Sequence, residues 1–361
     1  MKRLLQICLV NLAVVAAVLV AAEGIAGYAM AITCGASSAL AERRHTMYDP
    51  ELGWVNQPNV DIADMYGPRV RLRTNGQGFR NDRDFPARVP AGTLRVVCSG
   101  DSFTLGYGVA DDRTWCHRLT SFDSRLESIN MGQGGYGMDQ AYLWFKRDGT
   151  ALDHQVHVFA VITEDIRRLG TSDFEGYGKP VLVVEDGRLV VKGVPVSRLR
   201  GVLAPLRQSV QDLRTVAVLR DLLQRLRPAG RDVAVPLGHS SDDETRQVVS
   251  AILADLKRLH DMHGRVLLLA YLPTLEELTA DAASPWRDFM ASEARARGIT
   301  LIDTFDVFAA QPAGTLDRLF IQEGQLDYPG SAGHLTAQGN ELVAGVIYEQ
   351  LKRKLHAEAT P

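Results

Sequence analysis

The sequence is short of several things, and each scarcity removes a class of protein. There is no basic excess: 40 Lys and Arg stand against 43 Asp and Glu, a formal net charge of −3, which sets nucleic-acid binding aside. Cysteine is sparse. Cys8, Cys34, Cys98 and Cys116 are the only four in 361 residues, too few for a disulfide framework in a chain this long. No pair has CxxC spacing, and none sits with histidine at metal-ligand spacing. Cys8 falls in an apolar run and Cys98 in an apolar strand, and Cys34 follows "AIT", a poor lipoprotein cleavage box. All four therefore read as structural. Asp111, Asp112, Glu164 and Asp165 are adjacent carboxylates without His or Cys partners, so no metal and no cofactor is expected. Internal repeats and low-complexity tracts are absent too. What remains, 46% hydrophobic and 23% charged, is the composition of a globular protein.

One long hydrophobic run is present. Lys2 and Arg3 precede Leu4 to Ala22, an uncharged stretch whose only strongly polar residues are Gln6 and Asn11. At about 1.5 Å per residue it nearly crosses a bilayer core of about 30 Å. Cations ahead of the run put the rest of the chain outside the cytoplasm. An uncleaved single-pass anchor over residues 1–32 fits this length. A cleaved signal peptide is the competing reading, with "AMA" at Ala29 to Ala31 as a distant cleavage site.

Residues 33–48 are small and polar, a linker, and 33–93 as a whole reads as an extension with a short hairpin around Thr74-Asn75-Gly76. A regular alternation then begins. Strands are expected at 94–100, 126–132 and 155–163, and helices at 111–122 and 138–149. Residues 166–240 read as an insertion within the domain spanning 94–361. It holds a hairpin at 179–196, turning at Glu185-Asp186-Gly187, and an Arg- and Leu-rich helical region at 197–228. The alternation resumes with a helix capped by Ser241 and Glu244, a strand at 265–273, a helix at 285–298, a strand at 299–305 and a last helix at about 336–356. Strand and helix in this order predict a five-stranded parallel sheet in a three-layer α/β/α sandwich.

In such sheets, ligands bind at the carboxyl ends of the strands. "VVCSGDSFTLGYGV" ends the first strand on Gly100-Asp101-Ser102 and follows it with glycines. Asp and Ser there could simply cap the next helix. Alternatively, Ser102 is a nucleophile awaiting a base, and glycines bring backbone N–H groups toward a developing oxyanion. Three more stretches bear on the choice. "INMGQGGYGMDQ" ends the second strand with Gly132 and Gly135, "VITEDIRRL" ends the third with Glu164 and Asp165, and "GSAGHLTAQGN" puts His334 just before the last helix. With these beside it, His334 reads as a general base.

The four ordered blocks resemble the SGNH, or GDSL-type, hydrolase family over about residues 94–350. "YDPELGWVNQPNV" and "RTNGQGFRND" upstream are similar to membrane-anchored bacterial members. The resemblance implies a flavodoxin-like fold, Ser102 as nucleophile and His334 as base. It also implies an oxyanion hole from the N–H groups of Ser102 and Gly135 with a third-block side chain. Two positions depart from the pattern. Glu164 stands where the family has an Asn donor, and a carboxylate cannot donate unless protonated. Ser331 stands where the family has the Asp that orients histidine; either Asp327 takes that part, or the site runs as a Ser–His dyad.

The expected function is thus an extracytoplasmic serine ester hydrolase or O-acyl transferase. Its partners would be an acylated carbohydrate of the cell envelope, or another ester, and the bacterial inner membrane through residues 4–22. A catalytically inactive glycan-binding or assembly protein on the same fold is the alternative that Glu164 and Ser331 motivate. Cleavage of phosphodiesters or lipid esters is a third reading.

Overall fold

A computed structural model describes Asn11 and residues 44–174, 177–196, 241–280, 284–312, 314–326, 328 and 330–358. Apart from Asn11 and Tyr177, these belong to one compact unit built from Ala39–Phe174, Gly178–Ser197 and Pro236–Pro361. The apolar run at 4–22 apart from Asn11, most of the 33–48 linker, the helical region at 197–228 and Asp327 lie outside the described residues. Among the described residues, no helix is long and apolar enough to cross a membrane.

Upstream of the sheet, β1 (Thr46–Asp49) pairs with β2 (Gly53–Asn56), and β3 (Asp61–Ile62) with β4 (Leu72–Arg73), both antiparallel. The expected single hairpin is thus two short pairs, the first starting inside the predicted linker. The main sheet follows: β5 (Leu94–Gly100), β6 (Leu126–Gly132), β7 (Val156–Val161), then β10 (Val266–Tyr271) and β11 (Thr300–Asp303), all parallel. Its spatial order is β6-β5-β7-β10-β11. This is the 2-1-3-4-5 order of doubly wound sheets, whose switch point lies beside the first strand. Between β7 and β10, strands β8 (Val181–Glu185) and β9 (Arg188–Lys192) form the expected hairpin, turning at Asp186 and Gly187, both with positive φ.

Side chains alternate between the two faces of the sheet. On one, Val96, Val158, Ala160, Leu268 and Ile302 pack with Trp115, Leu119, Val343 and Ile347. Those partners come from α2 (Trp115–Phe122) and the last helix, α8 (Ala337–Glu358). The other face meets α3 (Met138–Arg147) and α5 (Asp242–Met262). Here β7 sends in His157, whose ring stacks on Phe145 at 3.7 Å and on His260 at 5.0 Å.

Three expectations need correcting. The helix expected over 111–122 is broken. Asp111–Arg113 is a 3₁₀ turn, and Thr114 caps a new helix by accepting from the His117 N–H. The break occurs because the Asp111 carboxylate is engaged by Arg73 and Arg80 of the extension. The third strand stops at Val161, since the Asp165 carboxylate accepts the Ile162 N–H and starts α4 (Thr163–Arg167). Finally, Cys98 and Cys116 form a disulfide, with Cα atoms 6.2 Å apart. Cys98 points to the core face of β5 and Cys116 opens α2, so the return of the helix over the strand brings them together.

Candidate active site

Ser102 begins α1 (Ser102–Leu105), a helix too short to form on propensity. It is held at both ends. Asp101 accepts the Phe103 N–H at 2.9 Å at its start. At its end Gly106 takes a left-handed conformation, and the buried Arg80 guanidinium donates to the carbonyls of Leu105, Gly106 and Val109 at 2.6–2.7 Å. Arg80 lies in "GFRND" and braces the turn behind the serine. Sequence reading assigned it no part, because a donor to distant carbonyls leaves no spacing signature.

His334 arrives from the far end of the chain. Its loop is pinned by hydrogen bonds from Ile321 N to His334 O at 2.7 Å and from Gly333 N to Ile321 O at 2.8 Å. Then α8 starts, and Asn340 accepts the Trp115 N–H at 2.9 Å, fastening that helix to α2. The result is that His334 Nε2 lies 2.8 Å from Ser102 Oγ. The other ring nitrogen, Nδ1, is 3.3 Å from the Ser331 carbonyl oxygen. A carbonyl can only accept, so this contact puts the proton on Nδ1 and leaves Nε2 free to receive the Ser102 proton. Phe103 and Tyr107 flank the imidazole, each with its ring centroid 4.9 Å away. Burial lowers the His334 pKa to about 4, and the Arg168 charge adds to that against the opposing Ser331 carbonyl.

The backbone donors stand nearby. Ser102 N–H is at the first helical position, where a helix offers no acceptor. Gly135 has φ +72°, and no acceptor for its N–H occurs among the described residues. A Cβ at Gly135 would come 2.4 Å from the Phe174 ring. Gly132 is required for a different reason: its Cβ would lie 2.0 Å from Leu105 N, against the nucleophile helix itself. The extension clasps this glycine loop. Trp54 Nε1 donates to Gly134 O at 2.9 Å, Asn56 Nδ2 to Gly132 O at 3.2 Å, and Tyr136 Oη to Trp54 O at 2.6 Å.

At the end of β7 the structure offers no amide donor at the Asn position. Glu164 Oε1 accepts from Arg167 at 2.9 Å, while Oε2 is buried without a partner. Burial raises the Glu164 pKa. Asp165 goes the other way, to Asp101. Burial raises the pKa of both carboxyls, and each feels the other. Like charges this close oppose each other's ionisation, which adds to the upward push of burial on Asp165, while the Arg168 charge works against it on both. Arg168 Nη1 bonds Asp165 Oδ1 at 3.0 Å and lies 3.8 Å from Asp101 Oδ2. Of the residues singled out in the sequence, Ser102 and His334 are in contact, with Gly135 on a neighbouring strand end. Asp327 lies outside the described residues, and Ser331 contributes its backbone carbonyl. Among the described residues, no group of three or more His, Cys, Asp or Glu is arranged to hold a metal ion.

No protein-family profile matches the chain, and no curated protein is similar to it. Solved structures do resemble it. A member of the lipolytic protein G-D-S-L family from Veillonella parvula DSM 2008 is 14% identical, with 72% of this chain and 100% of that one covered and a TM-score of 0.40. The acetyl xylan esterase AlAXEase is 15% identical, over 71% and 99%, with a TM-score of 0.40. The lipase/acylhydrolase from Enterococcus faecalis is 12% identical, over 73% and 97%, at 0.38. The chain is similar in fold to these G-D-S-L-type lipolytic proteins and esterases.

Proposed function

We propose that this protein is a serine ester hydrolase or O-acyl transferase working through an acyl-enzyme on Ser102. The contact of Ser102 Oγ with His334 Nε2 at 2.8 Å carries the reading. As Oγ attacks the acyl carbon, its proton passes to Nε2, and the carbonyl π electrons move onto oxygen. The N–H groups of Ser102 and Gly135 receive that oxyanion. Collapse breaks the ester C–O bond, and His334 returns its proton to the departing alkoxide. Water or a sugar hydroxyl then loses a proton to His334 and attacks the acyl carbon, and collapse breaks the acyl–Oγ bond as His334 returns that proton to Ser102 Oγ.

The natural setting we propose is the bacterial cell envelope, outside the cytoplasm, on acyl esters of a polysaccharide. Two observations support an oxidising, extracytoplasmic compartment: the Cys98–Cys116 disulfide, a bond rare in the cytosol, and the charged-then-apolar start at residues 2–22. An inactive binding protein on the same fold is the second reading, favoured by the carboxylate of Glu164 at a donor position. A fluorophosphonate probe separates the two. Active wild-type protein is labelled at Ser102 and Ser102→Ala is not. A folded wild-type protein that takes no label overturns the enzyme reading. Acetyl, long-chain and phosphodiester substrates assayed in parallel then identify the bond cleaved.

A further inference from the structure

We infer that Arg168 is the third support of the acyl oxyanion, supplying by charge and by free N–H groups what the end of β7 withholds at Glu164. This rests on the acyl-transfer reading and adds a catalytic residue to it.

Several contacts fix where the guanidinium lies. Nη1 donates to Tyr136 O at 2.9 Å, one residue beyond Gly135. It also donates to Asp165 and lies 3.8 Å from Asp101 Oδ2. That oxygen is itself 3.3 Å from Ser102 Oγ. On another side, Cζ sits 4.9 Å from the centroid of Phe174, the ring that covers Gly135. Arg168 is thus bracketed by neighbours of both backbone donors. Its own backbone is fixed as well, because Lys179, a buried partner of Asp139, donates to Arg168 O at 3.0 Å.

These contacts use Nη1 alone. Nε and Nη2 have no hydrogen-bond partner among the described residues, and the side chain keeps 20% of its surface exposed. Three N–H groups on these two nitrogens therefore remain for a ligand. The electrostatics require something of this kind. Asp101, Glu164 and Asp165 crowd the strand ends, so an oxyanion forming there meets carboxyl groups on more than one side. Arg167 pairs with Glu164 from a position 60% exposed, where water screens it. Arg168 is bonded inside the cluster, where a charge acts on its neighbours with less screening.

The test is steady-state kinetics on an aryl acetate with Arg168→Gln and Arg168→Lys, alongside fluorophosphonate labelling of wild type. Loss of one oxyanion donor costs about 10²–10³ in rate, so kcat of Arg168→Gln is expected to fall about 10²-fold or more while KM changes less than about threefold. The acid limb of its pH profile should move to higher pH, because the cation no longer opposes protonation of His334. Arg168→Lys should keep that limb near its wild-type place and recover about tenfold of the lost rate. A folded Arg168→Gln with kcat within about threefold of wild type overturns the inference. So does a loss confined to KM and to anionic esters, which would make Arg168 a substrate contact. Should the Gln variant not fold, Arg168→Lys decides: kcat unchanged at an unchanged melting temperature overturns the inference, and a drop of about tenfold supports it. Wild type that takes no label overturns both this inference and the acyl-transfer reading, whereas a labelled Ser102 with an unaffected Gln variant overturns this one alone.

Discussion

In the proposed mechanism the chemistry turns on His334, and its surroundings would make it an unusual base. Its Nδ1 proton is directed at a carbonyl, that of Ser331 at 3.3 Å, and a neutral acceptor stabilises the imidazolium less than an adjacent carboxylate would. Burial outweighs the upward push of that carbonyl and takes the pKa down to about 4. The sign follows directly. A histidine must be neutral to accept the Ser102 proton, and a depressed pKa keeps it neutral further into acid. We therefore expect kcat/KM on a short-chain aryl ester to stay level from neutral pH down to about 5 and to halve near pH 4. An unperturbed histidine would halve it near pH 6.5. A pH series of initial rates checks this. We also expect Ser102→Ala and His334→Ala each to lower kcat by about 10⁴-fold or more, with the double variant no worse than either, since the two act as a unit. Ser102 and His334 were legible in the sequence because strand ends converge in a doubly wound sheet. What orients His334 was not. A reader looks for a carboxylate at Ser331 or Asp327, and a backbone carbonyl has no letter of its own.

Among the elements, the glycine loop after β6 depends most on its neighbours. Trp54, Asn56 and Tyr136 tie it to the extension, and Phe174 closes over Gly135. Gly135→Ala adds a methyl group 2.4 Å from the Phe174 ring at a residue with φ +72°, so ring and loop must both shift. We expect a fall in kcat of about 10²-fold, the cost of misplacing one oxyanion donor, with KM little changed and the circular-dichroism melt lowered. The sheet strands were readable as apolar runs. The clasp was not, because Trp54 Nε1 and Asn56 Nδ2 reach carbonyls of residues 76 or more positions away, and carbonyls carry no sequence pattern. The break before α2 escaped for a related reason: it depends on where Arg73 and Arg80 of the extension reach.

For the molecule as a whole, the two faces of the sheet predict two sensitivities. On one, the Cys98–Cys116 bond closes a loop with a sequence separation of 18, which stabilises the fold by about 3 kcal/mol. Replacing both cysteines with alanine should lower the urea-unfolding free energy by about 2–4 kcal/mol and leave kcat unchanged. On the other face, burial lowers His154 to about 3 and His260 to about 4, and holds His157 well below its ordinary value. Unfolded, these rings take up protons near pH 6.5. The stability they allow is present above that pH and is lost as pH falls toward 4, by up to about 1.4 kcal/mol per pH unit for each ring. Melting temperatures recorded across this range should drop steeply. His154→Phe, which removes a ring whose Nε2 is buried without a partner, should flatten the drop.

The separation of 232 residues between Ser102 and His334 has a consequence for how the protein is made. Synthesis delivers Ser102 long before His334, so under the proposed mechanism a nascent chain carries the serine without its base until α8 emerges and docks on α2. A chain halted at Gly330, which lacks His334, should take no phosphonate label.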